Sequence, residues 1–212
     1  MRNRSFAILL ALAAVCAAPA LADQAATTSP KTVSRMGIPY KPDDDQIGPK
    51  ELVDAIRSRR PGGKLLNLDR ILLHSPAYAK GWNGLFAAIR GQLSLPPKLR
   101  ETAIMAVGAL NQADYEWVQH ESEYLKAGGT QAQLAALKNV AAAAKNDKLF
   151  DEGERATLAL TEEMTRSIKV SDATMKRIRK ALPLDQVVEL VGTIAGYNMA
   201  SRFLVATGVE LE

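Results

Sequence analysis

The chain has 212 residues, with 27 lysines and arginines against 23 acids, 47% hydrophobic residues, two histidines and one cysteine. Two of the basic residues, Arg2 and Arg4, fall in a leader-like segment, which leaves 25 basic against 23 acidic residues in the remainder, a formal charge of +2. Such a near-balanced chain, with no basic cluster interleaved with aromatics, excludes a nucleic-acid-binding face, and a lone cysteine excludes a disulfide framework.

Residues 1–22 run from Arg2 and Arg4 through an apolar stretch at 7–18 to the small-residue site Ala20-Leu21-Ala22. This is the layout of a secretory signal peptide, with cleavage expected after Ala22. The apolar stretch is short of the ~20 residues that span a bilayer, so no membrane association is expected after cleavage, and the address is periplasmic or secreted. Cys16 lies inside this leader, behind Val15, where a lipid-modified cysteine would follow a small residue. Removal of the leader leaves about 190 residues without a cysteine, enough for one domain with a sizeable core. Residues 23–45, with Pro30, Pro39 and Asp43-Asp44-Asp45, carry no sustained period and are expected to form a flexible, extended arm.

Over 46–212 the apolar residues recur at three and four, and almost no stretch alternates as a half-buried strand would. The fold class is therefore all-α. Punctuation predicts helices over 49–59, 65–73, 76–93, 97–110, 115–127, 131–144, 152–168, 172–182 and 185–207. Pro76 and Pro97 suit first-turn positions, and Gly62-Gly63, Gly128-Gly129 and Gly208 suit helix ends that need a left-handed residue. Thr130 with Gln133 and Asp151 with Glu154 have capping-pair spacing. A faint echo between 101–128 and 189–208, acid, apolar run, aromatic and glycine, suggests two related helical halves.

The chemistry is expected in 100–128, where Glu101 and His120 stand nineteen positions apart. On one unbroken helix they would be roughly 28 Å apart, so a break is required, and 111–114 supplies one. Asn111 is expected to end the first helix and Asp114 to cap the second. Ala113, Glu116 and His120 share a face of that second helix, so Glu116 is expected to touch His120. In the first turn Glu116 is favoured as an anion by the helix dipole, and it would favour protonated His120, while a more buried Glu101 would hold a proton longer. An acid and a base of separated affinity are the equipment of proton-transfer catalysis. The same residues equally suit an ordinary helix-surface pair, worth a few tenths of a kcal/mol.

Glu101 with Tyr115-Glu116-Trp117 and His120 resembles the carboxymuconolactone decarboxylase and alkylhydroperoxidase-D superfamily. Asn67, Asp69-Arg70, His74-Ser75-Pro76, the 95–101 run LPPKLRE, and Gly196-Tyr197-Asn198-Met199 with Arg202 add to that resemblance. It implies an alkylhydroperoxidase-D-like helical domain over 46–212 and a homo-oligomer. In the peroxidase branch a glutamate is followed twelve places later by Cys-x-x-Cys and then by a histidine. Here Ala113 and Glu116 hold the cysteine places, so no thiolate is present for peroxide reduction. The resemblance then implies the decarboxylase side: cofactor-free acid-base chemistry on a small carboxylated lactone or related compound, by decarboxylation, isomerisation or hydrolysis. The alternative is a non-catalytic binding or assembly protein on the same fold.

Glu101, Glu116 and His120 are thus the candidate catalytic residues, and Tyr115, Tyr197, Asn198 and Arg202 the candidate substrate-binding residues. Arg202 suits either a substrate carboxylate or a structural pair with an acid such as Glu189 or Glu101. Trp82, Trp117, Phe86 and Tyr78 sit at helical spacing and are expected in the core. His74, before Ser75-Pro76, reads as a turn or cap residue. No metal is expected, since a two-histidine facial site would need His74 as well. No phosphate loop, serine elbow or dinucleotide fingerprint occurs.

Overall fold

A computed structural model describes residues 32–212 of the chain. The leader at 1–22, with Cys16, and residues 23–31 of the arm lie outside the described residues. The rest is all-α, with ten helices and no strand beyond one bridge between Val33 and Pro39 among the described residues. In chain order they are α1 (Lys50–Arg57), α2 (Asn67–Leu72), α3 (Pro76–Gly91), α4 (Pro97–Leu110) and α5 (Asp114–Lys126). Then follow α6 (Gln131–Leu137), α7 (Val140–Ala143), α8 (Glu152–Ser167), α9 (Asp172–Ala181) and α10 (Leu184–Thr207), with a 3-10 turn at Pro61–Gly63 between α1 and α2.

The helix ends follow local chemistry. Pro76 and Pro97 open α3 and α4 at positions where no amide donor is needed. Gly62, Gly63, Gly128 and Gly208 all take positive φ. Thr130 with Gln133 and Asp151 with Glu154 form reciprocal capping boxes at the starts of α6 and α8. The single helix expected over 131–144 is instead two, because the Asn139 side chain accepts from the Ala142 amide at 3.1 Å and starts a new helix. A side-chain oxygen that competes with the backbone in this way breaks a run whose apolar period continues across it. The suggested echo of two halves does not carry over either: 101–128 folds as a hairpin of two helices, whereas 184–207 is one unbroken helix.

α4 is the centre of the molecule. Every residue from Glu101 to Gly108 is buried, and the helix packs against α5, α8 and α10. Ala103 and Ala106 are fully enclosed, and their small side chains let three neighbours approach. On one side lies the larger core, shared by α1, α2, α3, α4 and α10 and including Trp82, Phe86, Ile104, Leu190 and Ile194. On the other lies a second cluster with Met105, Tyr124, Leu137, Phe150 and Leu158. Gly196 brings α10 against α3: a Cβ there would stand 2.9 Å from Ile89 Cδ1, so a larger residue would require the Ile89 side chain to shift.

The described part of the arm lies on its own chain. Ser34 Oγ donates to the Thr207 carbonyl at 2.7 Å, the Arg35 amide donates to Gly208, and the Tyr40 hydroxyl accepts from the Glu210 amide at 3.0 Å. Ser34 and Tyr40 are buried by these contacts. His74, expected to serve a turn or cap, places its Nε2 2.7 Å from the Pro39 carbonyl and so ties this segment to the end of α2.

Candidate functional site

The α4–α5 hairpin brings the two widely spaced residues together. Asn111 ends α4, Gln112 adopts a left-handed φ of 53°, and the Ala113 amide returns to the Gly108 carbonyl at 2.9 Å. The Asn111 side-chain amide donates to Ser201 Oγ at 2.7 Å and so fixes the turn to α10. Asp114, expected to cap α5, is its first helical residue. The cap position is Ala113, without a side-chain cap bond, so Asp114 contributes only charge to the first turn.

Antiparallel return along α5 then sets His120 Nδ1 2.8 Å from Glu101 Oε2, with both side chains buried. Arg100 Nε donates to the other Glu101 oxygen at 3.2 Å. On the far side of the imidazole, the Tyr197 hydroxyl of α10 lies 3.2 Å from His120 Nε2, its ring edge-on to the imidazole at 5.1 Å. Burial alone would raise the Glu101 pKa, but the His120 hydrogen bond and the charges of His120 and Arg100 outweigh it and hold it below the ordinary value. Glu101 is therefore the carboxylate and accepts from His120 Nδ1, and in the neutral imidazole this arrangement leaves Nε2 as the acceptor facing the Tyr197 hydroxyl. Burial pushes the Tyr197 phenol well up, so its hydroxyl stays protonated.

Glu116 differs from the sequence expectation. It is 4% exposed, makes no hydrogen bond to His120, and its Oε2 is buried without a hydrogen-bond partner among the described residues. Burial pushes its pKa well above the ordinary carboxylate value. The expected assignment is thus inverted, with Glu101 ionised and Glu116 protonated, because the cation and the donors lie at Glu101 while the first-turn dipole does not offset the depth of Glu116.

These groups meet a pocket of about 550 Å³ enclosed by the 58–68 segment, α3, α5 and α10. His120, Tyr197, Glu116 and Tyr115 line it, with Glu101 one layer behind His120. Tyr115 donates its hydroxyl to Glu212 Oε1 at 3.1 Å. Asn198 and Arg202, expected to bind substrate, do not line the pocket. Asn198 donates to Thr165 Oγ1 at 2.9 Å, and Arg202 is exposed and donates to the Asn198 carbonyl at 2.9 Å and to its amide oxygen at 2.6 Å. Asn198 follows Tyr197 by one residue and Arg202 by five, and at 3.6 residues per turn neither position shares the face of Tyr197. Glu189, a suggested partner of Arg202, instead accepts from the Ser94 and Leu95 amides at 3.1 and 2.7 Å.

Trp82 and Phe86 are core residues as expected, and they also form a pocket wall, their rings 4.8 Å apart. Tyr78 is 44% exposed, and Trp117 is half-buried under Lys138. Sequence reasoning missed Arg59, Arg60 and Arg90, which also reach the pocket. Arg59-Arg60 was the one visible signal, an adjacent pair just before a Pro-Gly-Gly turn.

Residues 76–163, from α3 through most of α8, match the Carboxymuconolactone decarboxylase family model. No curated protein matches the chain. Among solved structures, an uncharacterized peroxidase-related protein from Silicibacter sp. TM1040 is similar at 18% identity and a TM-score of 0.71, over 88% of this chain and 95% of that one. A peroxidase-related protein with an AhpD core from Ralstonia eutropha JMP134 is similar at 17% identity and a TM-score of 0.66, over 78% and 87%. A variant of the debrominase Bmp8 in complex with 2,3,4-tribromopyrrole is similar at 17% identity and a TM-score of 0.65, over 82% and 91%. At these identities the likeness is one of fold.

Proposed function

We propose that the protein is a cofactor-free acid-base catalyst acting on a small carboxylated lactone or related compound by decarboxylation, isomerisation or hydrolysis. The observation that carries this reading is the chain Glu101–His120–Tyr197, joined at 2.8 and 3.2 Å, which ends in a pocket beside a neutral Glu116. The Tyr197 hydroxyl gives its proton to Nε2 as it takes one from the substrate, and so relays without resting as a phenolate. Positive charge that arrives on the imidazole is met by the Glu101 carboxylate, which also fixes the tautomer. The electron pair left on the substrate is quenched by the Glu116 carboxyl proton at a second atom, which is an isomerisation. In a decarboxylation the bond to the carboxylate carbon breaks, carbon dioxide leaves, and the same proton forms the new C–H bond. Neither step uses a thiol.

The test is a screen of purified protein against carboxymuconolactone and related lactones, with His120→Ala, Glu101→Gln and Tyr197→Phe beside the wild type. Loss of about 100-fold or more in kcat is expected for His120→Ala, in the range of general acid-base contributions, with a smaller loss for the other two. Turnover that survives both His120→Ala and Glu101→Gln would rule the site out. We also place this chemistry after export, on the composition of 1–22, and in a homo-oligomer. Support for the latter is an exposed stripe on α10 of Leu184, Val188, Gly192, Ala195 and Met199, spaced by four and three.

A further inference from the structure

The pocket holds more positive charge than its own acids answer. Arg60 binds Asp69 with two prongs, Nε to Oδ2 at 2.8 Å and Nη2 to Oδ1 at 2.6 Å, and Lys126 pairs with Glu123 at 2.7 Å. Glu116 is neutral. Two guanidiniums then remain. Arg59 gives Nη1 to the carbonyl and the side-chain oxygen of Asn83, both uncharged, and its Nε and Nη2 have no acceptor among the described residues. Arg90, on α3, has neither a hydrogen bond nor an ion pair among the described residues.

Like charges brought together away from bulk water raise each other's energy, and an anion between them removes that cost. Arg59 already registers it: burial, with Arg60 and Arg90 close by, lowers its pKa. Arg90 also acts electrostatically on Tyr197, so an anion held there sits beside the relay. The remaining wall is apolar, made by Trp82, Phe86, Leu68 and Leu204. A bare inorganic anion would leave that wall facing water.

We infer that Arg59 and Arg90 form a carboxylate-binding end of the pocket, and that its ligand is a small organic carboxylate whose apolar body lies against Trp82 and Phe86. The inference rests on the pocket as the substrate site proposed above and replaces Arg202 as the anchoring residue. Guanidinium forks are matched to carboxylates. Arg59 precedes the family-matched segment 76–163, so half of the clamp comes from outside it.

Calorimetric titration of the whole protein with benzoate, benzamide and inorganic phosphate tests this without any turnover. Benzoate should bind more tightly than either of the others. Arg90→Gln should weaken benzoate by about tenfold or more, as for loss of a charge-assisted contact. Arg59→Gln should do the same, and Arg202→Gln should change nothing. Since Arg90 makes no bond within the described residues, its variant is not expected to unfold, and a melting curve checks this. His120→Ala should still bind benzoate, which separates failure of the clamp from failure of the proton relay. Equal binding of benzamide or phosphate, no benzoate binding by the wild type, or an unchanged affinity in folded Arg90→Gln would overturn the assignment.

Discussion

A carboxyl group sealed from water loses the hydration that stabilises its charge, and only a donor or cation at hydrogen-bond range replaces it. Glu101 has His120 and Arg100; Glu116 has neither. Their effects on stability therefore fall in different pH windows. The lowered Glu101 contributes stability above the ordinary value of 4.5, lost as pH falls through its folded pKa. The raised Glu116 contributes stability below 4.5, lost as pH rises through its folded pKa. Glu116→Gln keeps the shape and abolishes that second loss. Its melting temperature should match the wild type near pH 4 and rise above it progressively as the pH is raised, measured by circular dichroism; parallel profiles would contradict a protonated Glu116. At this scale the sequence was legible in part. The spacing of Glu101 and His120 and the shared face of Glu116 and His120 were readable. Which acid lay deeper, and which had a cation beside it, was not, because Arg100 is a mere chain neighbour until the fold turns it inward. Arg59 and Arg90 carried no spacing that related them to His120.

Helix boundaries were readable where the signal is a local bond. Pro76, Pro97, Thr130 with Gln133 and Asp151 with Glu154 act within four residues, so no tertiary knowledge is needed to place them. At the start of α8, Asp151 Oδ1 accepts from the Glu154 amide at 2.8 Å. Asp151→Ala should cost about 1 kcal/mol and lower the melting point by roughly 2–4 °C, with the helix content of the folded state unchanged; an unaltered melting point would show the box to be idle. Asn139 escaped notice because an asparagine inside an Ala-rich apolar run leaves the period intact while its side chain restarts the helix. Asp114 misled for the converse reason. It has the residue type of a cap, but the tight return from Gly108 to Ala113 moves the helix start one place earlier.

For the molecule as a whole, the all-α class followed from the period of three and four alone, but its two-sided core around α4 did not, since 101–108 is buried on every face and has little periodicity of its own to read. The α10 stripe yields a prediction at this scale. Val188, 66% exposed, should lie between copies, so Val188→Glu should reduce the mass in light scattering to that of a monomer while leaving the helical spectrum intact; an unchanged mass would remove this face as the contact. A second whole-chain feature is the seam where Ser34 and Tyr40 hold the residues that follow α10. The Ser34–Thr207 contact joins positions 173 apart, so it holds only while the helices between them stand folded. The residues so joined include the stretch whose Glu212 receives hydrogen bonds from Asn67 and from the pocket-lining Tyr115 and Gln119. Seam and pocket wall thus share one peripheral network through Glu212, and in hydrogen exchange the amides of Arg35, Asn67 and Glu210 should open together, earlier than those of the buried α4, so that loosening the two chain ends also frees the partners of Tyr115.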